Sequence, residues 1–132
     1  KTDLVVLAGY MKKMPPEVVS AYRNRMLNIH PALLPSFGGK GLYGHHVHEA
    51  VLEYGCKVSG ATVHLVDAEY DTGPPVVQKC VPVLEDDPPD SLAARVLIVE
   101  HEIFPLAVSF FADDRVEIDG RRVRILPAPS SK

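Results

Sequence analysis

The 132 residues include 46% hydrophobic residues, enough apolar material for one core, and the formal net charge is −3. Lysines and arginines form no stripe, which disfavours a nucleic-acid partner and favours a small-molecule substrate. No apolar run approaches the roughly 20 residues of a membrane span, and the first residues do not resemble a signal peptide. Cys56 and Cys80 have neither metal nor redox spacing, so we interpret them as reduced core residues of a soluble, cytoplasmic protein.

The chain opens with an apolar run over residues 4–9, which predicts a fully buried strand of the parallel type. Such a strand needs neighbours on both sides. Because the sequence begins at Lys1 rather than at a methionine, we expect this chain to be part of a longer protein. A short helix is predicted from Pro15-Pro16 to about Asn24, and its apolar face consists of Val18, Val19 and Tyr22.

Residues 26–30 form the next predicted strand, which carries two polar side chains. Asn28 and His30 share one face because side chains alternate along a strand. Pro31 ends the strand, which places both residues at its carboxyl end, where open α/β sheets bind ligands. A lone histidine beside apolar residues is more often a hydrogen-bonded core residue, so the functional interpretation depends on the wider pattern.

Residues 36–44 contain four glycines, which predicts a loop with positive φ angles. The spacing is not that of a phosphate-binding loop, so phosphate binding is the weaker interpretation. A helix follows from His45 to Tyr54 and stops at Gly55. Histidines crowd its first turn, and we interpret them as a solvated helix start rather than a zinc site, so no metal is expected; they are His45, His46 and His48.

A strand over residues 58–66 has His64 pointing the same way as Thr62. The turn-rich loop after it brings a carboxylate, Asp71, to the strand end. An aspartate in such a turn is by itself more often an Asx-turn residue.

The second half contains a strand over residues 76–83, a charged turn and a long helix that starts near Asp90. Pro105 is a predicted kink in that helix. Residues 115–125 read as a hairpin with an Asp-Gly turn, and the segment after Leu126 as a frayed tail. The apolar stripe of the helix consists of Leu92, Val96, Val99, Ile103 and Leu106.

Taken together, the Asn-x-His-Pro of residues 28–31, the following Leu-Leu-Pro, the strand at Ala61–Val66 and the Asp-Thr-Gly-Pro of residues 71–74 resemble the folate-dependent formyltransferases. The likeness spans about residues 4–112 and is greatest to the branch that formylates phosphoribosylglycinamide in purine biosynthesis. It implies an α/β, Rossmann-like, mostly parallel sheet with flanking helices. It also implies that an amino-terminal βαβ half, which holds the substrate phosphate, is missing. Residues 1–126 would then be the catalytic domain and 127–132 a flexible tail.

The resemblance assigns catalysis to Asn28, His30 and Asp71. Formyl transfer from 10-formyltetrahydrofolate to the amine would create an oxyanion met by the Asn28 amide and by protonated His30. Asp71 would favour the imidazolium by raising the pKa of His30.

Binding residues also follow from the resemblance. Glu100 would contact the ribose of the second substrate, although a glutamate on a helix is more often a solvated surface residue. The methionines have the alternative interpretation of core fillers. The folate contacts would be Tyr10, Met11, Lys12, Lys13, Met14, Val19, Met26, Asn28, Val66, Asp67, Ala68, Glu69, Tyr70 and Asp71.

Three alternatives stay open. The related formyltetrahydrofolate hydrolases share the three polar residues but usually have a second histidine where Pro31 stands. The methionyl-tRNA formyltransferases carry a nucleic-acid-binding domain that this acidic chain lacks. The third is a non-catalytic folate-binding fragment. For the 132 residues alone we expect weak folate binding, no useful transfer, and self-association through the first strand.

Overall fold

The computed structural model describes residues 4–8, 15–39, 41–67 and 71–128. Eight of the expected folate contacts lie outside the described residues: Tyr10, Met11, Lys12, Lys13, Met14, Ala68, Glu69 and Tyr70. The elements in chain order are β1 (Val5–Ala8), α1 (Pro16–Ala21), β2 (Met26–His30), α2 (His45–Tyr54), β3 (Val58–Leu65), β4 (Pro75–Pro82), α3 (Pro89–Ala112), β5 (Val116–Asp119) and β6 (Arg122–Ile125).

Strands β1 to β4 form a four-stranded sheet in the order β1-β2-β3-β4. β1 pairs with β2 in parallel, whereas β2 with β3 and β3 with β4 are antiparallel. The described sheet is therefore mixed rather than mostly parallel. Residues 66–74 join β3 to β4 without a described helix, and a direct return of this kind makes neighbouring strands antiparallel.

β1 is parallel as expected, but it is not fully buried. Val6 is 43% exposed, because β1 has a described neighbour on one side only. The first helix is also shorter than expected. It ends at Ala21, and Asn24 takes a left-handed φ of 63°, which does not continue a helix.

The core lies where α2 and α3 pack on one face of the sheet. β2 contributes Leu27 and Ile29 to it, so the alternating Asn28 and His30 project to the opposite face. In α3 the expected stripe is correct except at its end, where Ala107 is buried and Leu106 is 43% exposed. Ala107 follows Ile103 by four residues, and residues four apart lie on the same face of a helix.

The predicted hairpin is present as β5 and β6. Its two loop residues are Gly120 and Arg121, one position later than expected, and Gly120 takes the positive φ of 63° that a tight hairpin requires. The cysteines are both free. Cys56 is half-buried as a core neighbour, but Cys80 is exposed on β4, so its interpretation as a core residue was wrong. None of the described helices is both long and apolar enough to cross a membrane.

Candidate active site

His30 ends β2 and is only 3% exposed. Its Nε2 lies 2.7 Å from the Phe37 carbonyl oxygen. A carbonyl only accepts hydrogen bonds, so Nε2 carries the proton and donates it to Phe37. Nδ1 then faces the Asp71 carboxylate, with 3.6 Å between Nδ1 and Oδ2.

Asp71 lies between two imidazoles. Its Oδ1 is 3.5 Å from His64 Nε2, while its Oδ2 faces His30 and accepts the Gly39 backbone N–H at 3.1 Å. The backbone of Asp71 is left-handed, with φ 53°, a conformation that aspartate tolerates better than most residues. The structure thus brings His30 and Asp71 together and adds His64, which the sequence placed on the correct face but to which it gave no role.

Two opposing effects act on the pKa of His30, one of them the expected effect of Asp71. Burial lowers the pKa of His30 below its ordinary value and outweighs the opposing effects of the Asp71 charge and the Phe37 carbonyl. The neutral imidazole is therefore favoured in this structure, where an imidazolium was expected. For Asp71 burial acts to raise the pKa, but the nearby His64 and His30 rings and the Gly39 N–H together lower it, so the carboxylate is ionised.

Asn28 lies beside this cluster. It pairs directly with His64 across β2 and β3, so both side chains occupy the same sheet face. Asn28 is 7% exposed, and its Oδ1 has no hydrogen-bond partner among the described residues; the same holds for His64 Nε2. Buried polar atoms without protein partners are uncommon, which indicates a place for polar atoms of a ligand or for water.

The glycine-rich segment borders the site rather than serving as an obvious phosphate cradle. It supplies the Phe37 carbonyl to His30 and the Gly39 N–H to Asp71. A Cβ at Gly38 would lie 2.6 Å from Leu34 Cδ2 and 3.2 Å from Asp71 Cβ. Only glycine lets this segment approach the carboxylate so closely.

The histidines of α2 do not share one environment. The side chains of His45 and His46 are 61% and 63% exposed and lie 3.7 Å from Asp90 and Glu49, respectively. His48 is only 4% exposed, so its interpretation as a solvated residue was wrong. Burial, with smaller effects of His45 and His30, lowers the pKa of His48. No group of three metal-ligating side chains occurs in the described part of the chain.

Two cavities flank the segment after β3. One, of about 560 Å³, is lined by Asp71 together with Thr72 and Arg121. The other, of about 450 Å³, is lined by Val19, Val66 and Asp67, three of the expected folate contacts.

Met26 and Glu100 stand apart from the cavities. Met26 is 1% exposed, as a core residue would be. Burial raises the pKa of Glu100 against a smaller opposing effect of His101, and Glu100 lines neither of the two cavities.

The arrangement agrees with sequence comparison. The family model described as Formyl transferase matches residues 1–108. The chain belongs to the formyl transferase family. The resemblance drawn from the residues around Asn28, His30 and Asp71 is thereby confirmed at the family level.

Among curated relatives, the chloroplastic phosphoribosylglycinamide formyltransferase of Arabidopsis thaliana is 52% identical over 115 residues, which cover 87% of this chain and 39% of the relative. The phosphoribosylglycinamide formyltransferase of Escherichia coli (strain K12) is 44% identical over 128 residues, covering 92% of this chain and 58% of the relative. This formyl transferase chain therefore spans about half the length of the curated relatives it matches.

Solved structures lead to the same fold. Glycinamide ribonucleotide transformylase 1 from Symbiobacterium toebii superposes with a TM-score of 0.87 at 49% identity, covering 95% of this chain and 57% of that one. A formyltetrahydrofolate deformylase from Pseudomonas syringae pv. tomato gives a TM-score of 0.84 at 30% identity, covering 95% of this chain and 40% of that one. The expected α/β class of formyltransferase type is confirmed.

Proposed function

We propose that this chain carries the reaction centre of a phosphoribosylglycinamide formyltransferase, which moves the formyl group of 10-formyltetrahydrofolate to the amine of phosphoribosylglycinamide. The observation that carries the proposal is the pairing of buried His30 with Asp71 at 3.6 Å, with Asn28 on the same sheet face. Relatives that bear this enzyme name and are 52% and 44% identical support it.

The described residues fit a formyl folate as cosubstrate. The cavity lined by Val19, Val66 and Asp67 offers an apolar floor with a polar edge beside the loop that leads to Asp71. Asn28 Oδ1, which has no hydrogen-bond partner among the described residues, can meet polar atoms of the reacting groups. The folate supplies a formyl group on nitrogen, which is already activated for transfer to an amine. We propose the eight expected contacts outside the described residues as further folate contacts, whereas the 1% exposure of Met26 favours its alternative interpretation as a core residue.

Asn28 stabilises the developing charge in this mechanism. When the amine attacks the formyl carbon, the carbonyl oxygen becomes an oxyanion, and the side-chain N–H groups of Asn28 donate to it. The site is buried, so the donor does not compete with bulk water. A donor of this kind contributes about 3 kcal/mol of transition-state stabilisation.

His30 moves the proton. Its Nδ1, unprotonated in the favoured neutral form, accepts a proton as the amine becomes bonded to carbon. The resulting imidazolium faces the Asp71 carboxylate, which stabilises it, and it then protonates the departing folate nitrogen. In this order of steps, the His30 imidazolium expected from the amino-acid sequence forms during the reaction rather than before it.

The same proposal includes a role for Glu100, the absence of a metal and a cellular compartment. We propose that Glu100 binds the ribose, because a partly buried carboxyl group can hydrogen-bond to hydroxyl groups. No metal takes part in the proposed steps. We also propose a cytoplasmic enzyme, for which the two free cysteines are the support, although two relatives are described as chloroplastic. Cell fractionation decides between these compartments.

The experiment compares amine and water as formyl acceptors. The natural polypeptide in which this sequence occurs is incubated with 10-formyltetrahydrofolate, with and without phosphoribosylglycinamide, and both tetrahydrofolate and formylated product are measured. We expect equal amounts of the two, and only when the amine is present. Release of tetrahydrofolate without the amine would favour the hydrolase instead. No release under either condition would leave folate binding alone and overturn the proposal.

A further inference from the structure

The segment between His30 and Phe37 is irregular backbone held by two side chains. Thr62 Oγ1 donates to the Ala32 carbonyl at 2.7 Å and accepts the Leu34 N–H at 3.1 Å. The same oxygen accepts a hydrogen bond from Gln78 Nε2 at 3.0 Å. A hydroxyl can donate once and accept twice, so the capacity of Thr62 is fully used.

Gln78 completes the arrangement from the neighbouring strand. It lies opposite Thr62 in the pairing of β3 with β4, and its Nε2 also donates to the Leu34 carbonyl at 2.9 Å. Both hydrogens of the amide are therefore used, one on Thr62 and one on Leu34. Thr62 is 0% exposed, and its bonds to Ala32 and Leu34 are buried, whereas the two bonds from Gln78 are partly buried.

The same segment also packs closely against β3, where the Leu33 side chain lies against Gly60. A Cβ at Gly60 would lie 2.7 Å from Leu33 Cδ2, which shows that the segment rests directly on β3. Beyond Leu34 the chain continues to Phe37, whose carbonyl accepts the His30 Nε2–H. The position of that acceptor therefore depends on how the intervening segment is held.

We propose that Thr62 and Gln78 are positioning residues that hold the backbone between His30 and Phe37, so that the imidazole keeps its proton on Nε2 and turns Nδ1 toward Asp71. The catalytic consequence rests on the proposed function, whereas the tautomer is a property of the chain itself. A purely structural role would stabilise the loop without selecting a tautomer of His30.

The test uses Thr62→Val and Gln78→Met in the natural polypeptide in which this sequence occurs. Thr62→Ser keeps the hydroxyl. Ser59→Ala is the matched control, because Ser59 is on the same strand, 3% exposed, and its Oγ has no described hydrogen-bond partner. Long-range ¹⁵N–¹H spectra at pH 8 report the His30 tautomer, and steady-state kinetics separate kcat from KM.

We expect a single Nε2–H tautomer in the unchanged protein, in Thr62→Ser and in Ser59→Ala, and a mixture in Thr62→Val and Gln78→Met. In these two variants kcat should fall about tenfold or more with KM nearly unchanged, because misplacement of a catalytic group impairs chemistry more than binding. Because Gln78 is exposed, Gln78→Met should fold even if Thr62→Val does not, and it then tests the positioning role by itself. A pure Nε2–H tautomer in Gln78→Met would overturn the inference. A tautomer that depends on Gln78 in a protein without formyl transfer would instead refute only the proposed function.

Discussion

The carboxylate of Asp71 and the imidazole of His30 face each other at 3.6 Å in a site where the two are 12% and 4% exposed. Two opposing effects meet there. Burial lowers the pKa of His30, and the negative charge of Asp71 raises it. Because the raising effect depends on one charge, loss of the Asp71 charge should leave burial unopposed and lower the pKa of His30 further.

The first prediction concerns that charge. Asp71→Asn keeps the size of the side chain and an oxygen for the Gly39 N–H, but removes the charge beside His30. We expect the pKa of His30 to fall further below its ordinary value, because the raising effect of Asp71 is lost while burial persists. Histidine titration followed by NMR measures the shift. Asp90→Asn, beside the exposed His45, is the control, and an unchanged His30 titration in Asp71→Asn would reject the coupling.

The second prediction concerns the proposed chemistry. His30→Ala and Asn28→Ala should each lower kcat for formyl transfer at least about a hundredfold, the scale of losing a proton-transfer group and an oxyanion donor, respectively. The variant His46→Ala, on the exposed start of α2, should retain normal turnover. Near-normal turnover in either active-site variant would remove that residue from the mechanism.

The third prediction is a loss of stability on mild acidification. The folded-state pKa values of His30 and His48 lie below the ordinary 6.5, so below about pH 6.5 the unfolded chain binds more protons than the folded one. The free energy of unfolding should therefore fall as the pH drops from 6.5 toward the lowered folded-state values. Glu100 acts in the opposite sense, since its raised pKa costs stability as the pH rises above 4.5.

Urea titrations at pH 7.5, 6.5 and 5.5 measure this dependence. His48→Gln removes one of the two groups and should flatten it, whereas His46→Gln, at a side chain that is 63% exposed, serves as the matched control. Stability that is unchanged or greater at pH 5.5 would contradict the prediction.

How much of the site followed from sequence depends on the range of the interactions. Alternation within Met26–His30 was enough to place Asn28 and His30 on one face, because that is a local property of any strand. The contact of His30 with Asp71 required the family resemblance. The Phe37 carbonyl and Gln78 were missed because their contacts depend on loop path and strand register, which local periodicity does not encode.

The errors in burial have a similar cause. His48 was expected in solvent because it lies in a polar helix turn, yet it is on the buried face of α2 together with Val47 and Val51. Cys80 was expected in the core because it lies on an apolar strand, yet β4 is at one edge of the described sheet, and its residues 78–80 are all exposed. In each case the local composition was interpreted correctly and the tertiary environment was not.

The fourth prediction concerns the turn that carries Asp71. A Cβ at Gly73 would lie 1.6 Å from the Leu65 carbonyl oxygen, a backbone atom that cannot move without disturbing β3. Gly73→Ala should therefore reduce the free energy of unfolding by about 3 kcal/mol or more. Gly41→Ala is the control, since Gly41 has φ +84° and no atom within 4 Å of its ideal Cβ. It should cost only about 1 kcal/mol of backbone strain. Equal losses in the two variants, measured by urea unfolding, would refute the close-contact explanation.

The last prediction concerns the free edge of β1. Within the described residues β1 pairs only with β2, and Val6 is 43% exposed on it. An apolar strand with unpaired backbone groups is a template for pairing with another chain, so the isolated 132-residue chain should form dimers or larger species. Light scattering coupled to size exclusion measures the mass. Val6→Lys places a charge on the exposed position and should shift the protein toward the monomer, whereas Lys57→Gln, away from β1, should not. A monomeric unchanged chain at 100 μM or so would show that other parts of the protein protect this edge.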